Sequence, residues 1–84
     1  MKKASDRLRK TFLDVVDNQL RANDPPQTKQ TLDRLIKDGY SEDEARRLIS
    51  AVVAVEIFDI WKSEQPFDKA RFISGLNNLP KLPE

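Results

Sequence analysis

Residues Ser41 to Ser63, SEDEARRLISAVVAVEIFDIWKS, constrain this chain more than any other stretch. They open on a helix start and then turn apolar on nearly every side. A helix that is apolar all round must be covered all round, so the other elements have to pack against it. Ser41-Glu42-Asp43-Glu44 fits the S-x-x-E capping box. Gly39 is placed to end a preceding helix in the left-handed region, and Tyr40 to act as a hydrophobic staple on Ala45 or a neighbour. The central helix is expected to reach Lys62 or Ser63, roughly 30 Å at about 1.5 Å per residue. Ala45, Ile49, Val52, Val53, Ile57 and Ile60 share one broad face, and Ala51, Ala54, Phe58 and Trp61 form a second, roughly opposite. Two apolar faces predict a partner on each side.

The flanking segments supply those partners. Leu8, Phe12, Val15, Val16 and Leu20 recur at helical spacing, which predicts a first helix from about residue 5 to about 22 with Ser5 or Asp6 as its cap. Asn23-Asp24-Pro25-Pro26 breaks the chain. Asp24 is the expected N-cap and Pro25 the expected first residue of a short helix running to about residue 38, with Leu32, Leu35 and Ile36 as its apolar edge and Thr28 and Thr31 in support. Pro66 stops the central helix. Asp68 then caps a fourth, to about residue 77, whose apolar side is Phe67, Phe72, Ile73 and Leu76. Gly75 is a costly residue inside it, or marks a fraying end. The expected fold is all-α: a compact four-helix domain over residues 1–84, built on a long central third helix, with loose ends at 1–4 and 79–84. Leu79 is placed to pin the tail.

Composition narrows the chemistry. The 84 residues carry 15 basic and 14 acidic side chains, a net charge of +1, which argues against a dedicated polyanion binder. There is no cysteine, so neither a disulfide nor a thiolate site can form. There is no histidine, the commonest general base and metal ligand. With only two glycines there is no phosphate-cradling loop, and Asp14/Asp17 and Glu42/Asp43/Glu44 lack metal-loop spacing. The expectation is a non-enzymatic protein with no cofactor and no metal. The basic start MKKASDRLRK is followed by no apolar leader core, and Leu48–Val55 is too short to span a bilayer, so the expected setting is cytoplasmic with no membrane.

Four constellations remain. Glu56 lies in the middle of the first apolar face, which predicts a buried carboxylate held in a structural ion pair, with Arg34 as its partner. Phe58, Trp61 and Phe67 gather at the end of the central helix; any excess over what short helices can cover would form a surface for a protein partner or for self-association. Lys2, Lys3, Arg7, Arg9 and Lys10 make a basic N-terminal run that could contact nucleic acid, but no aromatic side chain is interleaved for stacking on bases, which disfavours that reading. Arg46 and Arg47 after a turn give the outline of a helix-turn-helix, yet Glu42, Asp43 and Glu44 would face the phosphates.

On Gln19–Pro26 (QL-x-x-NDPP), Arg34–Ala45 (RL-x-x-x-GYS-x-x-EA), Glu56–Phe58 and Pro66–Asp68, the chain resembles a group of small bacterial helical domains of unknown function. That resemblance implies an all-helical fold in a bacterial, cytoplasmic setting and supplies no activity. Some longer proteins that look related carry histidines in the central helix; this chain has none, so no metal or acid–base role is carried over. The GYS-x-x-EA segment also looks like the first turn of a ubiquitin-associated domain, a three-helix pattern from which the long apolar helix departs. The functional expectation is a helical interaction module, alone or as a homodimer, with weak nucleic-acid binding through the N-terminal helix as the alternative.

Overall fold

The computed structural model describes the backbone of residues 2–82 and the side chains from Asp6 to Leu82. Among the described residues the chain forms four helices and no strand: α1 (Lys2–Ala22), α2 (Pro26–Lys37), α3 (Glu42–Ser63) and α4 (Lys69–Asn78). The longest, α3, touches each of the other three. The radius of gyration is 12.5 Å, close to the ~12 Å of a compact chain of this length.

The helix ends are set by local hydrogen bonds. The Ser41 hydroxyl accepts from the Glu44 amide at 3.1 Å while the Ser41 amide donates to Glu44 Oε1 at 3.0 Å, which completes the capping box. Gly39, at φ 109°, ends α2 in a Schellman turn: the Tyr40 amide donates to Leu35 O at 3.1 Å and the Gly39 amide to Ile36 O at 3.0 Å. At the end of α1, Asn23 plays the glycine's part at φ 51°, with Asp24 N to Gln19 O at 3.0 Å and Asn23 N to Leu20 O at 3.3 Å. The Asp24 backbone amide thus closes α1, and its carboxylate caps no helix. The N-cap of α2 is Pro25, with no side-chain cap, and Pro26 takes the first helical position, one residue later than the sequence suggests. The first helix begins at Lys2, ahead of the expected Ser5 or Asp6 cap and within the expected loose end, because Lys, Lys and Ala are good helix formers. The Asp68 carboxylate accepts from the Arg71 amide at 3.0 Å and starts α4 as expected.

The core is Val16 of α1, Leu35 of α2, Ala45, Ile49, Val52 and Val53 of α3, and Phe72 and Leu76 of α4, closed by Leu79. Leu79 therefore ties the tail to the body. Thr28 and Thr31 are buried; Thr28 Oγ1 donates to Gln19 Oε1 of α1 at 2.9 Å, which is how a polar residue enters a core at low cost. Gly75 is neither fraying nor incidental. A Cβ there would lie 2.7 Å from Val52 Cγ1, so the glycine is what lets α4 approach α3 this closely.

Candidate functional site

Glu56 is buried, 4% exposed, as its place on the apolar face predicts. Its partner is Arg71, not Arg34. Arg71 Nε and a terminal nitrogen donate to the two Glu56 oxygens at 3.0 and 3.2 Å, and the same guanidinium binds Asp59 one turn further along α3. These carboxylates, Glu56 first, push the Arg71 guanidinium up and keep it charged. Arg34 is engaged elsewhere: it donates to Leu79 O at 2.9 Å and to Leu76 O at 3.0 Å, carbonyls at the end of α4, the second of which also accepts the Leu79 amide. The reason is the packing. Arg34 lies beside the end of α4, whereas Arg71 stands in the first turn of α4, directly across from Glu56 and Asp59. Arg71 thereby joins α4 to α3 through both carboxylates.

Arg46 does not reach outward either. Its guanidinium makes a two-pronged bridge to Asp17 of α1, 3.0 and 2.7 Å, with Asp43 at 3.5 Å, and the Asp17 bonds hold it charged. The helix-turn-helix outline is therefore spent on fastening α3 to α1. In the basic run, Arg7, Arg9 and Lys10 are exposed, and Lys10 pairs with Asp14 at 3.2 Å; the side chains of Lys2 and Lys3 lie outside the described residues. Arg9, Leu13, Arg47 and Ser50 line a cleft between α1 and α3.

The aromatic residues stay largely outside. Trp61 is 69% exposed and Phe58 47%, joined edge-to-face at 5.8 Å between ring centres, and Phe58 meets Phe12 of α1 edge-to-face at 6.2 Å. The second apolar face of α3 is thus covered by α1 only in part, where the sequence predicts a full partner. Phe67, 48% exposed, does not join this group; it leans on Phe72 of α4 at 5.7 Å. The three aromatics form two surfaces rather than one cluster.

At the other end of the outer face of α3 lies a cleft of about 370 Å³ lined by Tyr40, Glu44, Arg47, Leu48, Ala51 and Leu82. Leu82, in the tail expected to be loose, is one of its walls. Sequence reasoning placed Leu48 on neither face and missed this cleft, because one wall comes from residues more than thirty positions away. The Ser41 hydrogen bonds, followed by the Arg47 charge, hold the Glu44 carboxyl below its ordinary 4.5. Among the described residues no group of three or more acidic side chains converges to hold a metal ion, and no helix is long and apolar enough to cross a membrane. Comparison with protein-family models, curated proteins and solved structures finds no match to the chain.

Proposed function

We propose that this chain is a non-enzymatic helical interaction module that engages a protein partner, or a second copy of itself, through the outer face of α3. The observation that carries the reading is the exposed Phe58–Trp61 pair. Two adjacent large aromatics left in water forgo burial that is worth about 1.5–3 kcal/mol for a phenylalanine alone, and such residues dominate protein interfaces. The engagement of the nearby polar groups with one another supports the non-enzymatic reading: Glu56 and Asp59 are bound by Arg71, and Arg46 is tied to Asp17. A phosphate-binding reading is weaker, since Lys10 is paired with Asp14 and Asp6 lies on the same exposed helix. The bacterial, cytoplasmic setting that goes with this reading rests on the likeness of the four motifs.

The test is capture from bacterial lysate with tagged protein at high salt and after nuclease, beside a Phe58→Ser/Trp61→Ser variant checked for helicity. Protein capture that survives both treatments and is lost in the variant is the expected result. Capture that disappears with nuclease or salt, and not with the variant, overturns the reading in favour of nucleic acid.

A further inference from the structure

The outer face of α3 carries Leu48, Ala51, Val55, Phe58 and Lys62, spaced three, four, three and four residues apart. That is the seam of a helix that packs along another helix. Within the chain, none of these side chains is fully buried: Leu48 and Ala51 are half-buried, and Val55, Phe58 and Lys62 are exposed. The face has a hollow at one end, the Tyr40/Leu48/Ala51/Leu82 cleft, and a projection at the other, the Phe58–Trp61 pair. Leu48 and Phe58 are ten residues apart, about 15 Å along the axis.

Resting on the interaction-module reading, we infer that the occupant of this face is a second copy of the chain, with the two α3 helices antiparallel about a two-fold axis between Ala51 and Val55. In that register Leu48 and the cleft receive Phe58 of the second copy, and Ala51 meets Val55. The two-fold repeats both contacts, so hollow and projection are each filled twice. The charges fit the same register. Glu44, one turn before Leu48 on the same face, comes opposite Lys62. Among the described residues Lys62 makes no ion pair within its own chain. A parallel arrangement would set Glu44 against Glu44 and Lys62 against Lys62. The contact is one helix wide and falls below the ~800 Å² per partner of a standard interface, so the dimer is weak and follows protein concentration.

Sedimentation equilibrium of the purified protein from micromolar to millimolar concentration tests this. The expected result is a reversible monomer–dimer equilibrium, weakened about tenfold by Lys62→Glu, which sets like charges across both symmetric pairs. Val55→Glu should abolish it. Lys62 is exposed, so its variant keeps the test decisive if Val55→Glu fails to fold. The chain has no cysteine, so the register can be read with introduced ones. In a mixture of Ala51→Cys and Val55→Cys chains, a short thiol cross-linker should join unlike chains in preference to like ones. Preferential joining of Ala51→Cys to itself overturns the antiparallel register. A protein that stays monomeric at millimolar concentration overturns the dimer; if lysate capture through Phe58 and Trp61 persists, the interaction reading stands without it, and if capture is also absent, both fall.

Discussion

Arg71 of α4 holds Glu56 of α3 by two hydrogen bonds, at 3.0 and 3.2 Å, and holds Asp59 with the same guanidinium. One residue thereby neutralises a carboxylate that is almost wholly out of water and fixes the first turn of the smallest helix against the pillar. A buried charge left alone is far more costly than a buried pair, so the bridge keeps Glu56 acceptable where it is. Arg34 does complementary work at the other end of α4 by capping its last carbonyls.

These roles separate in a double-mutant cycle. Glu56→Ala and Arg71→Ala should each lower the thermal midpoint, and together by less than their sum, because they remove one shared interaction. Glu56→Gln keeps an uncharged acceptor and should lose less than Glu56→Ala. Arg34→Ala should cost about 1–3 kcal/mol, the worth of charged hydrogen bonds to buried carbonyls, and add independently to Glu56→Ala. Additivity of Glu56→Ala with Arg71→Ala in denaturant titrations would contradict the geometry.

Gly75→Ala should destabilise the protein, although alanine is the better helix former by about 1 kcal/mol. The new methyl would press on Val52, a β-branched and buried side chain that cannot swing aside. A net loss of about 1–2 kcal/mol is expected, relieved in the Gly75→Ala/Val52→Ala pair relative to the sum of the single changes. Chemical denaturation of the four proteins reads it directly.

Glu64 ends α3 at φ 55°, in the left-handed region that costs a residue with a Cβ about 1–2 kcal/mol. Glu64→Gly should therefore stabilise the chain, by roughly 0.5–1 kcal/mol after the entropy cost of glycine, and raise the midpoint by a few degrees. Glu64→Val should do the reverse. A calorimetric scan in which glycine melts earlier than glutamate would refute the account.

The capping box gives a pH dependence. Glu44 titrates below its ordinary 4.5 in the folded chain, so its contribution is complete above that value and is lost as pH falls through the lower folded value. Glu44→Gln should abolish this part of the acid sensitivity while leaving the neutral-pH midpoint slightly lower. Midpoints of both proteins measured from neutral pH down to about 2 should converge on the acid side.

Local chemistry alone wrote the helix boundaries that the sequence made legible. The capping box at Ser41, the Gly39 stop and the Asp68 cap each close hydrogen bonds within three to five residues, so the necessary atoms are neighbours in the chain before anything packs. The same holds for the apolar face of α3, since periodicity determines which side chains point together. It also holds for the burial of Glu56. Which arginine answers Glu56 was not legible, because it depends on the side along which α4 lies and on which of its ends meets Glu56. Gly75 reads as a weakness in sequence and becomes a contact point only where the axes of α3 and α4 come within reach of the Val52 methyl. The separation of Phe67 from Phe58 and Trp61, and the cleft closed by Leu82, likewise arise from interhelical placement. Local hydrogen bonding and periodicity set the elements. Side-chain volume and helix placement, which no short window of sequence contains, decided their neighbours.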